Sequence, residues 1–184
     1  MNAENIKYAD DETLSVKRII QIRIPSLALG LILGIFLSFV TSRFEEALSQ
    51  DIRIAFFIPF IVYMADAVGA QTQNIYIRDL KTGKANFKIY LIKETLAGVI
   101  LGIASSLPTA IITAVWLAST KITLAVSLAM FGAIAIAPLV ALLTTEIFQL
   151  KHKDPAVGAG PLATAIQDTL SVLIYGIITS SIIL

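Results

Sequence analysis

Residues 155–184 read PAVGAGPLATAIQDTLSVLIYGIITSSIIL, thirty positions with a single charged side chain, Asp168. A helix needs about 20 consecutive apolar residues to cross about 30 Å of hydrocarbon. This stretch is therefore long enough to span a bilayer, and it carries an acid inside it. Working back along the chain, charged residues bracket four more such gaps: 24–42 (19 residues), 54–77 (24 residues, containing Asp66), 95–120 (26 residues) and 122–145 (24 residues). Barrel strands would show short segments of about 10 residues alternating apolar and polar, and none of these runs does. The reading is an all-α integral membrane protein with five transmembrane helices per chain.

Composition agrees. Of the 184 residues 57% are hydrophobic and 15% charged, with a mean hydropathy of +0.83, against about 45–50% and about 25% in soluble domains. Fourteen Lys and Arg against thirteen Asp and Glu leave a net charge of +1, which offers nucleic acid no basic face. With no Cys and one His, disulfides, thiolate sites and poly-His sites are excluded, so any metal must be met by oxygen.

Residues 1–22 are expected to form a short cytoplasmic N-terminal segment and 23–184 the five-helix domain. The first span does not read as a cleaved signal peptide, because acidic residues at Glu4 and at 10–12 precede it and its apolar run is too long. Lys17, Arg18 and Arg23, the cluster Arg78, Lys81, Lys84, Lys88 and Lys93, and the pair Lys151 and Lys153 fall on one side of the membrane. Basic excess marks the cytoplasm, which predicts an N-terminus inside and a C-terminus outside, in a multi-pass protein of the cell (plasma or inner) membrane. An odd number of spans cannot hold an inverted repeat, so a symmetric path points to a homodimer.

Two acids stand where lipid makes charge expensive, at least about 2.5–3.5 kcal/mol each near mid-bilayer. Asp66 is the thirteenth residue of its gap. Asp168 lies about eight residues, or about 12 Å, into the last span if that helix starts near Pro161. Helical spacing gives each polar company: Thr164, Asp168, Ser171, Tyr175 and Thr179 on span five, and Pro59, Tyr63, Asp66, Ala70 and Gln73 on span two, with Gly69 opening space beside the acid. One reading makes each Asp a buried, hydrogen-bonded packing residue. The other makes the stripes the lining of a cation path, with Asp168, Thr164 and Asp66 as hard-cation ligands and Tyr63, Gly69, Gln73, Ser171 and Tyr175 beside them. Glu94 and Glu146 sit at helix ends near Lys93 and Lys151, as interfacial charges or as a cytoplasmic vestibule, and His152 reads as a solvated loop residue. Pro59, Pro108 and Pro138 mark bends and Pro161 a first helical turn. Gly30/Gly34 and Gly98/Gly102 are small-residue pairs that allow close helix packing.

The segment 154–175, DPAVGAGPLATAIQDTLSVLIY, resembles the signature of the MgtE family of magnesium transporters and channels, and FIPFIVYMADAVGAQTQNIYIRDLKTG from Phe57 resembles the family's second-span motif. The likeness covers residues 23–184. Two departures stand out. The family's Gly-Gly-Asn-Ala-Gly-Ser-Gln is here Ala65-Asp66-Ala67-Val68-Gly69-Ala70-Gln71, with a carboxylate one residue before the place of the Asn. Residues 1–22 are also too few to encode the family's acidic N-terminal domain and paired CBS modules. The resemblance implies a homodimer whose spans two and five line an ion path on or near the axis. It makes Asp168 the principal ion-site carboxylate, carbonyls near Thr164 supplementary, and Asp154 part of a site near the cytoplasmic mouth. Its cargo is Mg²⁺, with Mn²⁺ or another divalent ion as the alternatives.

Two Asp168 carboxylates facing each other match a divalent charge and repel one another without a cation or a shared proton. Inward movement of two charges yields about 4.6 kcal/mol per 100 mV, and no GxxxxGK[ST] phosphate loop occurs, so passive entry is favoured. A secondary exchanger coupled to H⁺ or Na⁺ is the closest competitor, and a membrane scaffold without transport is another. An intramembrane aspartyl protease would carry GxGD, where this chain has MADAV and IQDTL, so no enzyme is expected.

Overall fold

A computed structural model describes residues 12–151 and 154–184. The start of the polar segment, with Glu4, and the residues His152 and Lys153 lie outside the described residues. The described elements are helical throughout: α1 (Val16–Ser42), a short α2 (Glu45–Gln50), a 3₁₀ turn (Ile52–Phe57), α3 (Ile58–Lys81), α4 (Phe87–Leu117), α5 (Thr120–Leu150) and α6 (Pro155–Ile183). Five are long and apolar enough to cross a membrane, the 3₁₀ turn and α3 together counting as one.

The helices start where side chains can satisfy their first free N–H groups. Ser15 accepts from the Arg18 N–H, Asn86 from the Ile89 N–H and Ser119 from the Ile122 N–H. At α6 the Asp154 carboxylate accepts from the Ala156 N–H at 2.9 Å, and Pro155, which has no N–H, takes the first helical position. The last helix therefore begins at Pro155 and not near Pro161, which lies inside it. Asp168 becomes the fourteenth of 29 residues, at mid-helix and deeper than the sequence reading put it. At the other terminus α1 takes in Lys17, Arg18 and Arg23, so residues 16–22 of the predicted lead-in continue the first span. Pro59 opens α3 after the 3₁₀ turn instead of bending a helix interior, whereas Pro108 and Pro138 do lie inside α4 and α5.

α5 is the central post, packed against α4, α6 and α3, while α1 rests mainly on α6. Its buried alanines Ala125, Ala129, Ala133, Ala137 and Ala141 recur every four residues. Small side chains at that spacing let neighbouring backbones close in where lipid supplies no hydrophobic drive. α4 answers with Gly98 and Gly102, whose added Cβ atoms would lie 2.8 Å from the Ala135 carbonyl oxygen and 2.9 Å from that of Phe131. That glycine pair is a packing contact. Gly30 and Gly34 on α1 have no neighbour within 4 Å of an added Cβ and pack nothing in the protomer.

α3 and α6 run antiparallel. The Tyr175 hydroxyl donates to the Ile54 carbonyl at 2.6 Å, Thr164 meets Asp66, and Gly160 lies beside Gln73. The tight turn between α4 and α5 carries Ala118 in the left-handed region at φ 49°.

Candidate functional site

Between α3, α5 and α6 lies a small recess, with room for about one water-sized occupant, lined on its polar side by Asp66, Gln73, Thr164 and Gln167 and elsewhere by Gly69 and by Ala137 and Ala141 of α5. The alanine row that brings the helices together also leaves this gap, since no long side chain from α5 fills it. Gly69 adds to the opening: a Cβ there would stand only 3.5 Å from the Ala137 carbonyl oxygen. The Thr164 hydroxyl donates to Asp66 Oδ1 at 3.0 Å, joining α6 to α3 across the mouth. Gln73, 8% exposed, donates from Nε2 to Thr145 Oγ1 at 3.2 Å.

Asp168 occupies the neighbouring face of α6. One of its carboxylate oxygens, Oδ1, is buried and accepts no hydrogen bond. A buried acceptor left unmatched costs about 1–3 kcal/mol, a penalty a helix in lipid carries only where something offsets it. Asp66 lies within electrostatic range of Asp168, so the two mid-membrane acids share one region.

The remaining predicted residues divide. Gly69 and Gln73 line the recess with Asp66 and Thr164. Tyr63 turns outward, 70% exposed on the protomer surface. Ser171 and Tyr175 are enclosed in the protomer core, at 0% and 2% exposure, Ser171 accepting from Gln167 and Tyr175 donating to Ile54. They line no surface of the protomer. Ser171 and Tyr175 stay within about 20° of the Thr164 face, but farther along α6 that face is covered by neighbouring elements, Tyr175 being bonded to Ile54 of the 3₁₀ turn. Asp154 caps α6, as above. Glu94 and Glu146 are held by hydroxyls of α3: Thr72 donates to Glu94 Oε2 and Tyr76 to Glu146 Oε2, each at 2.7 Å. They face the third helix rather than standing as plain interfacial charges. The Tyr76 ring packs against Tyr90, with centroids 4.8 Å apart.

The sequence reading passed over Gln167. It is 2% exposed, lines the recess, and donates from Nε2 to the Ala133 carbonyl and to Ser171 Oγ, each at 3.2 Å. The available signal was a pair of polar residues, Gln167 and Ser171, four apart on an apolar helix.

The MgtE family model, described as a divalent cation transporter, matches residues 58–178, from the first residue of α3 well into α6. Over 164 residues the chain is 31% identical to "Magnesium transporter MgtE" of Bacillus subtilis (strain 168), covering 87% of this chain and 36% of that protein. It is 32% identical over 156 residues to "Magnesium transporter MgtE" of Enterococcus faecalis (strain ATCC 700802 / V583), covering 83% and 34%. The chain thus spans about a third of the length of the curated relatives it matches. The family description names transport, not catalysis. Five membrane-crossing helices, two acids at their centre and a family match running across both acid-bearing helices lead to one conclusion: this multi-pass membrane protein belongs to the MgtE family.

Proposed function

We propose that the chain conducts a divalent cation, Mg²⁺ in the first place, across the cell membrane as a homodimer, with α3 and α6 of each copy lining the path at the dimer axis and Asp168 as its main ion-site carboxylate. The observation that carries this reading is the unmatched, buried Oδ1 of Asp168 at mid-helix. A carboxylate held there gains most from a cation, and two copies across an axis balance a double charge. Mg²⁺ gives up water reluctantly and commonly binds through one or two carboxylates while partly hydrated, which suits a polar region with few acids. Thr164 and Asp66 stand beside Asp168, and Gly69, Gln73 and the outward Tyr63 flank it. The basic excess at the α3–α4 and α5–α6 connections puts those ends, and the N-terminus, in the cytoplasm. Asp154 then stands at the inner mouth, with Glu94 and Glu146 in the vestibule.

The test is Mg²⁺ or Mn²⁺ flux into proteoliposomes holding wild type or Asp168→Asn. Loss of flux in a folded mutant is expected, and undiminished flux removes the central site. The proximity of Asp66 to Asp168 favours one second reading, a carrier that couples the cation to H⁺ or Na⁺. Flux that vanishes without an imposed H⁺ or Na⁺ gradient would establish it in place of the channel.

A further inference from the structure

Two carboxamides face the recess, and each is oriented by a neighbour that can only accept. Thr145 spends its hydroxyl proton on the Ala141 carbonyl at 2.8 Å, so toward Gln73 it offers lone pairs alone. The amide nitrogen of Gln73 must face Thr145, and its oxygen faces away, toward the Gly160 side of the gap. The Ala133 carbonyl likewise has no proton to give, so the nitrogen of Gln167 faces it and Oε1 points the other way. That Oε1 is buried and has no hydrogen-bond partner, on a side chain that is 2% exposed and lines the recess. Thr164 directs its own proton to Asp66 and so also presents lone pairs. The Asp66 carboxylate, the Thr164 hydroxyl and Gln73 Oε1 are acceptors beside the gap, and the enclosed Oε1 of Gln167 is an acceptor that lacks a donor.

A small pocket of acceptors with one carboxylate suits a single hard cation, and suits an anion or an organic ligand poorly. We infer that each protomer holds a divalent-cation pocket of its own, formed by Asp66, Thr164, Gln73 and Gln167, separate from the pair of Asp168 carboxylates at the axis. The inference takes only its choice of cation from the proposed function; the pocket belongs to a single chain and needs no dimer.

The experiment is Mn²⁺ binding to the full chain in lipid nanodiscs, followed by electron paramagnetic resonance, with Asp168→Asn as the background. Asp168→Asn should retain one Mn²⁺ per chain, and adding Gln167→Met should weaken that binding about tenfold or more, as expected for loss of an oxygen serving a charged ligand. Gln73→Met, which trims the second amide oxygen, should weaken it in the same direction and serves if Gln167→Met does not fold. Thermal melts give an independent readout: Mn²⁺ should raise the Tm of Asp168→Asn by mass action and raise that of the Gln variants less. No Mn²⁺ bound by Asp168→Asn, or an affinity unmoved by either Gln substitution, overturns the pocket and makes the recess a place for water only. Flux and binding separate the two proposals, since undiminished flux in Asp168→Asn removes the axial site while the titration alone decides this one.

Discussion

Thr164 on α6 and Asp66 on α3, 98 residues apart in sequence, meet through a 3.0 Å hydrogen bond in which the hydroxyl donates to Oδ1. This bond aims the carboxylate and ties together the two helices that carry the mid-membrane acids. Polar contacts between membrane helices are worth about 0.6 kcal/mol on average and reach about 1.7. Thr164→Val is therefore expected to lower cation uptake by about threefold, and by no more than about twentyfold, whereas Thr164→Ser keeps the donor and stays close to wild type. Uptake in proteoliposomes measures both, and equal rates in Val and Ser variants would show that the bond does not matter.

The close approach of α4 to α5 makes a stability prediction. With backbone oxygens 2.8 Å and 2.9 Å from the Cβ positions of Gly98 and Gly102, an added methyl forces the helices apart. Gly98→Ala and Gly102→Ala should each destabilise by about 1–3 kcal/mol, the usual range for overpacking. Gly30→Ala, with nothing within 4 Å, should leave the protomer's stability unchanged. Thermal melts of the detergent-purified proteins make the comparison.

Ala118 ends α4 in a left-handed conformation at φ 49°, its N–H donating to the Ala114 carbonyl. A side chain is disfavoured there and glycine is not. Ala118→Gly should raise stability by about 0.5–1 kcal/mol, seen as a higher Tm with uptake unaltered.

The Arg53 side chain hydrogen-bonds Asp51 beside the 3₁₀ turn and holds that carboxyl below its ordinary value of 3.8. The folded state thus favours the ionised form. The contribution is fully present above 3.8 and is lost as the pH falls below that value through the depressed one. Wild type should lose Tm relative to Asp51→Asn as the pH is lowered through this window, by a small amount because the pair is partly open to solvent. Parallel pH dependences in the two proteins would show that the contact adds nothing.

The five spans were legible because lipid makes charge a boundary: Arg43, Arg53, Lys121 and Glu146 sit within a few residues of helix ends or loops. The ends themselves were not, because helices run on past the apolar run when a cap such as Asp154 or Ser15 satisfies the next N–H groups. That error placed Asp168 too near one surface. Asp66, Thr164, Gly69 and Gln73 were each legible as polar or small positions on a shared helical face, and the structure gathers them at one recess. Gln167 was not, because it lies one residue from the charge that drew the eye, on a different face, and its role depends on the carbonyl of a residue 34 positions away. Ser171 and Tyr175 show the converse: one helical face passes from an open stretch at Thr164 to a covered one where neighbouring elements pack on it.

The mid-helix placement of the recess on antiparallel α3 and α6 bears on how charge is told apart there. A helix concentrates its backbone dipole at its ends, and that field fades within the first and last turn. Asp66 and Thr164 are each more than two turns from a helix terminus, so the peptide groups lend the region almost no net polarity of either sign. In the proposed path, preference for a cation therefore falls to side chains, the carboxylates of Asp66 and Asp168 foremost. Neutralising both, as in Asp66→Asn with Asp168→Asn, would leave only the lone pairs of neutral side chains such as Thr164 and Gln73 to tell the sign of a solute.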